Sequence, residues 1–224
     1  MKEITARKNV KDGFTFLFFA LLAFSGLGLE MLLAFLIEPL IYGIGLEDFT
    51  TTQYIIHWIV TCILWGISAF LLLFFAKRKF GLDIFANKKN IQILNWILCV
   101  VCLATAIIIS VIDWNGFKPV KEFAYNGWLK FVFQYIYYIF EIVLVFQIVI
   151  FGQEAGEKWF KQDKIPYGGI LTALTWGLIH CLTKGDIIIG LLSFVVALLF
   201  GVVYVLTKKN VYIAFPFILI MFIF

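Results

Sequence analysis

Apolar residues in this chain gather in long runs, from Phe14 to about Gly45, Tyr54 to Ala76, Ile91 to Asp113, Trp128 to Gly152, Ile165 to Thr183, Ile187 to Thr207 and Val211 to Phe224. A helix needs about 20 apolar residues to cross a bilayer. Six of the runs meet that requirement, and the seventh, with 14 residues and Pro216 inside it, is short for a full crossing. The pattern predicts an all-α, polytopic transmembrane bundle of six to seven spanning helices, forming a single transmembrane domain over positions 1–224. A signal peptide has an apolar core of about 7–15 residues. The first run is longer, so it is expected to remain as the first helix.

Composition turns this pattern into a class. The chain is 63% hydrophobic and 14% charged, with a mean hydropathy of +1.00, against about 25% charged residues in soluble domains. No water-soluble fold hides that much apolar surface, so the expected surroundings are a lipid bilayer. The 26 Phe, 9 Tyr and 7 Trp suit lipid-facing and interfacial positions; a nucleic-acid partner, which needs a basic polar face, is not expected.

Charge is distributed unevenly. Taking the runs in order, Lys2, Arg7, Lys8, Lys11, Lys77, Arg78, Lys79, Lys88, Lys89, Lys158, Lys161, Lys164, Lys208 and Lys209 fall on the N-terminal side, and Lys118, Lys121, Lys130 and Lys184 on the other. The excess of basic residues on cytoplasmic loops places the N-terminus in the cytoplasm of a multi-pass plasma-membrane protein. Trp58, Trp114 and Trp128 then share the outer interface. Cys62, Cys99, Cys102 and Cys181 all sit within apolar runs, and with no His beside the Cys99–Cys102 pair they read as packing, with no metal or other cofactor expected.

Ionisable residues inside a membrane are costly and concentrate where function lies. Here they are Glu30, Glu38, His57, Glu141 and His180, together with the polar stretch from Gln153 to Lys164. As a helix, that stretch sets Glu154, Glu157, Lys158 and Lys161 on one face, with Glu154–Lys158 and Glu157–Lys161 as i,i+4 pairs, the arrangement of a salt-bridged helix end. Pro166, Gly168 and Gly169 mark a turn and predict an antiparallel hairpin. Counting from a turn near Ile165, Glu154 and His180 lie roughly 17 and 23 Å along the two axes. They are expected at similar depth, where a carboxylate beside an imidazole can activate water. Glu30, Glu38, His57 and Glu141 offer a second possibility, a relay of an ion-pathway component or transporter, with Glu38 and His57 facing each other across a short loop.

Three stretches resemble the CPBP family, the CAAX-protease and bacteriocin-processing membrane endopeptidases. The family's E-E-x-x-x-R appears here as Gln153-Glu154-Ala155-Gly156-Glu157-Lys158, and its F-x-x-x-H as Trp176-Gly177-Leu178-Ile179-His180. The run from Ser193 to Phe224 is similar to its next helix and turn. The resemblance covers positions 128–224 as the motif-bearing part and implies an endopeptidase acting on a membrane-anchored or precursor peptide through glutamate-activated water. It makes Glu154, Glu157 and His180 the expected catalytic set, with Gln153, Lys158, Trp176 and Glu141 lining the site. The chain departs from the family in three places: Gln153 stands at the first glutamate, Lys158 at the arginine, and the third motif, H-x-x-x-N, is replaced by apolar residues near Ile218 and Phe222. Those departures leave a non-catalytic alternative, a chaperone, immunity or partner-stabilising subunit bound to another membrane protein.

Overall fold

The computed structural model describes residues 2–87 and 89–224, residues 2–10 as backbone only, and its described residues contain helices and no strand. Lys88 and the side chains of Lys2, Arg7 and Lys8, part of the basic set counted above, lie outside the described residues. The first run forms α1 (Lys2–Leu27), α2 (Leu29–Leu32), a π-helical turn (Leu33–Ile37) and α3 (Glu38–Tyr42). There follow α4 (Thr51–Phe80), α5 (Ile93–Asp113) and α6 (Lys118–Phe160). The next rod is α7 (Tyr167–Thr172), a second π-helical turn (Ala173–Gly177) and α8 (Leu178–Thr183), and the chain closes with α9 (Ile187–Leu206) and α10 (Val211–Ile223).

Five of these stretches, Lys11–Tyr42, Thr51–Phe80, Ile93–Asp113, Lys118–Phe160 and Ile187–Leu206, are long and apolar enough to cross a membrane. The rod from Tyr167 to Thr183 and α10 are shorter. Local signals set the boundaries. Thr50 and Gln53 form a reciprocal capping box at the start of α4, and Gly81 ends that helix in the left-handed conformation. Asp186 caps α9 and Asn210 caps α10 through their side chains.

Large apolar side chains face outward: Phe35, Leu40, Phe70 and Ile93 are all exposed. That arrangement is stable only with lipid around it. The interior is built around one enclosed stretch of helix, against which large side chains such as Trp65, Phe200 and Ile218 are buried. From Ile142 to Gln153, α6 is buried on nearly every side, the behaviour of a central helix that the other rods surround. Small residues then allow backbones to touch. A Cβ added at Gly168 would come 2.0 Å from the carbonyl oxygen of Val149 on α6, and one at Gly201 on α9 would come 2.3 Å from the backbone of Gly169. These two crossings fix how α7 sits between α6 and α9.

At Gly127 (φ 68°, ψ 171°) α6 breaks. Glu122 receives hydrogen bonds from Tyr135 (2.9 Å) and Tyr138 (2.5 Å), and Asn126 donates to Gln134 (2.7 Å). Partners so far apart in sequence meet only if residues 118–126 fold back along the start of the main helix. The apolar run thus begins at Trp128, as the sequence indicates, and the arm ahead of it lies against the bundle.

Candidate functional site

α6 carries two carboxylate sites at different depths. The first is at the end of the bundle that holds the N-terminus. Lys209, in the turn between α9 and α10, contacts Glu157 at 2.7 Å and Glu154 at 3.2 Å, with both acids 18% exposed. Burial alone would lower the Lys209 pKa, but the two carboxylates outweigh it and hold it above the ordinary lysine value. The i,i+4 pairs expected with Lys158 and Lys161 are replaced by this three-residue cluster, because Lys209 approaches from a neighbouring turn and reaches both acids at once. Lys158 is only half-buried beside it.

Gln153 completes that end. Fully buried, it donates to the carbonyl of Ile165 (2.9 Å) and to Glu157 (3.0 Å) and accepts from the backbone N–H of Gly168 (3.2 Å). An amide is required because the position needs a donor and an acceptor simultaneously. Gln153 is therefore a staple between α6 and α7.

The second site lies deeper. Glu141 accepts a hydrogen bond from Trp176 Nε1 (3.1 Å), and the ring of His180 packs on the Trp176 ring with centroids 4.6 Å apart. His180 Nδ1 lies 2.7 Å from the Trp176 carbonyl oxygen. A carbonyl can only accept, so Nδ1 carries a proton, and when the ring is neutral its lone pair is on Nε2. Phe222 of α10 meets Tyr138 edge-on (5.4 Å) and Trp176 at a tilt (5.8 Å), and Ile218 is fully buried. Lys118, on the folded-back arm, donates to the Phe222 carbonyl (2.9 Å) and lies over the Tyr138 ring (4.7 Å).

The antiparallel hairpin expected around Pro166 is present, but its register separates Glu154 from His180. Residues 161–166 form a loop instead of a point turn, so α6 stops at Phe160 and the next rod begins at Tyr167. The Gln153–Gly168 and Glu141–Trp176 hydrogen bonds mark two rungs that are 12 residues apart on α6, roughly 18 Å along its axis. Glu154 belongs to the shallow rung. His180 lies one turn beyond the deep one. The expected trio of Glu154, Glu157 and His180 is thus divided: two acids at Lys209, and the imidazole with Glu141 and Trp176, which the sequence had marked only as lining residues.

The Glu38–His57 encounter does occur. His57, 2% exposed, lies 2.7 Å from Glu38 through Nδ1 and 3.6 Å from Glu30 through Nε2. Tyr137 packs against Trp58 and Trp65 of α4 (ring centroids 6.3 and 4.8 Å) and stands one turn from Glu141 on α6. Both π-helical turns adjoin this region: Leu33–Ile37 separates Glu30 from Glu38, and Ala173–Gly177 contains Trp176. Such turns widen a helix by one residue and are frequent at functional sites.

Tyr137, Lys209 and the role of Gln153 escaped the sequence reading. Lys208 and Lys209 were visible among the basic residues on the N-terminal side, but nothing in their spacing named Glu154 as a partner. Among the described residues, no group of three or more His, Cys, Asp and Glu side chains is arranged to hold a metal ion. No family model matches the chain, nor does any curated protein or solved structure compared with it.

Proposed function

We propose that the chain is a multi-pass plasma-membrane protein of CPBP-like architecture over positions 128–224, and that it hydrolyses a membrane-anchored or precursor peptide at the site where Glu141 and His180 meet Trp176. The observation that carries this reading is the meeting of a carboxylate and an imidazole with a free Nε2 on one indole, inside the bundle. Phe222, close to the place of the missing third motif, packs on the same indole, which supports the resemblance between the α7–α10 region and that family. The N-terminus is assigned to the cytoplasm because the basic residues crowd that end, while Trp114 and Trp128 are exposed at the opposite one.

In the proposed reaction Nε2 of His180 orients a water and Glu141 takes its proton as the oxygen attacks the peptide carbonyl. The C–N bond then breaks as the proton passes to the leaving amine. The test is cleavage of membrane-anchored candidate peptides by purified protein. Glu141→Gln and His180→Ala are expected to lower turnover at least 100-fold, whereas Glu154→Gln retains it within a few-fold. Loss in Glu154→Gln with retention in Glu141→Gln would overturn the assignment.

A second reading, a non-catalytic partner-binding subunit, is favoured by one specific feature. Ile218 and Phe222 present no donor to a developing oxyanion, a contribution worth about 3 kcal/mol per donor in other hydrolases. Absence of cleavage by the unaltered protein, with stoichiometric copurification of a membrane protein, would select that reading.

A further inference from the structure

A groove of about 390 Å³ runs between α4 and α6, from Trp58 to Ile67 along one helix and from Phe133 to Phe140 along the other. It extends roughly 14 Å along α4, and its volume falls in the range of ligand sites, about 300–1,000 Å³. Small residues open it. Cys62 is buried at its base, and Gly66 leaves out a Cβ that would come 3.1 Å from the Phe140 ring. Ile63 on α4 and Ile136 on α6 are both exposed along its length, so the groove faces the surroundings of the bundle. The lining side chains are apolar apart from one indole N–H, and such a space at membrane depth takes hydrocarbon in preference to water.

The end of the groove adds a charge. One turn beyond Trp58 and Phe133, Tyr54 of α4 and Lys130 of α6 bridge the same two helices, with Lys130 Nζ 4.4 Å from the centre of the Tyr54 ring. Tyr54 lies 5.8 Å from Trp58, and the exposed Trp128 stands two residues before Lys130. Tyr and Trp gathered at a helix end mark the level of the headgroups. Lys130 is half-buried; ion pairs among the described residues form at His57, Lys77 and Lys209, and none at Lys130. A ring face meets an ammonium from one side only, which leaves N–H groups for an oxyanion.

We propose that this groove binds one phospholipid molecule, with an acyl chain lying against Cys62 and Gly66 and the phosphate at the Lys130 ammonium. The groove is apolar along its length and cationic at its interfacial end. A phospholipid is its complement, apolar along its chains and anionic at its phosphate. The charge-assisted contact to Lys130 fixes the depth of the headgroup, and the missing side chain at Gly66 fixes where the chain can sink between the two helices. Binding here does not require that Glu141 cleave peptides.

Native mass spectrometry of the full chain, released from detergent micelles that contain dioleoylphosphatidylglycerol or dioleoylglycerol at equal concentration, counts the lipids retained. The two probes share their acyl chains and differ in the phosphate. The wild type is expected to retain one phosphatidylglycerol per chain, with about tenfold higher occupancy than the phosphate-free lipid, the range of a hydrogen bond to a charged group. Lys130→Gln should remove that preference. Ile63→Trp, which adds bulk at an exposed wall of the groove, should lower retention of phosphatidylglycerol about tenfold or more by overfilling the space. Ile93→Trp, at an exposed position on α5, should leave it unchanged. If Ile63→Trp fails to fold, Lys130→Gln provides the answer. No retained lipid, equal retention of the two lipids by the wild type, or a preference that survives Lys130→Gln would overturn the site. So would equal losses in Ile63→Trp and Ile93→Trp, or a dimer that Ile63→Trp disrupts, which would give the groove to a second copy of the chain.

Discussion

The two carboxylate sites on α6 differ in what answers their charge. Glu154 and Glu157 meet an ammonium, and Gln153 ties the same turn of helix to α7. Glu141 meets an indole N–H, and the imidazole of His180 packs on the same indole. A cluster whose charges are compensated in place holds a structure together. A carboxylate given one neutral donor inside a membrane is expensive to keep, which is why the deeper site is assigned the chemistry. On the proposed assignment the motif that drew attention in the sequence is structural, and the residue expected only to line the site is its centre.

The largest expected effect comes from breaking the register that sets the two sites apart. Gly168→Val would drive a side chain into the backbone of Val149, which cannot move aside without shifting α6 against α7. Loss of about 3 kcal/mol or more is expected, the upper range for overpacking, and thermal unfolding in detergent measures it. Because the Glu141–Trp176 hydrogen bond depends on the same register, indole fluorescence should change along with stability. A variant that keeps the wild-type melting temperature would mean the crossing is looser than the geometry indicates.

Gln153→Glu asks whether the shallow site tolerates a carboxylate at that position. The substitution removes the N–H that serves the Ile165 carbonyl and sets a negative charge beside Glu157. A cost of about 2–3 kcal/mol is expected, from an unsatisfied buried acceptor plus like-charge repulsion. Stabilisation, or a gain in hydrolysis, would instead show that the family's glutamate belongs there and that Gln153 is a lesion of the site.

Much of the fold was legible because bilayer thickness imposes lengths that the apolar runs must match, and the break ahead of Trp128 falls where polarity changes. The Glu38–His57 pair was legible for a related reason: a short loop leaves its two flanking helix ends little room to separate. The Glu154–His180 separation was not, since residue counting treated the turn as a point. The chain spends residues 161–166 on a loop, and that displacement moves every rung of the hairpin. Lys209 was hidden for another reason: its partners lie 52 and 55 residues away in sequence, and long-range ion pairs leave no periodic trace. The fold-back at Gly127 is equally silent, because a glycine before an apolar run is compatible with either a straight or a reversed approach.

Lys209→Met should cost about 1–3 kcal/mol, less than a fully buried pair because each group retains some exposure. The cost should be largely relieved in the Lys209→Met/Glu154→Gln double variant, which leaves fewer uncompensated charges. The sign with pH follows from the raised Lys209 pKa. Its contribution is complete below the ordinary lysine value of about 10.4 and disappears only as pH climbs through the higher folded value. Between pH 6 and 9, on the order of the usual working range, chemical denaturation of wild type and Lys209→Met should therefore differ by a constant amount. A difference that varies across that range would mean the cluster titrates with some other group.

Glu141→Gln is expected to change stability least, by less than about 1 kcal/mol and in the stabilising direction. The amide oxygen still accepts from Trp176 Nε1, and the substitution removes a charge from inside the bundle at constant shape. Loss of turnover without loss of stability is the signature of a residue held for function against the preference of the fold. A destabilisation of about 2 kcal/mol or more would place Glu141 in a structural network like that of Gln153, and would remove the contrast between the two sites.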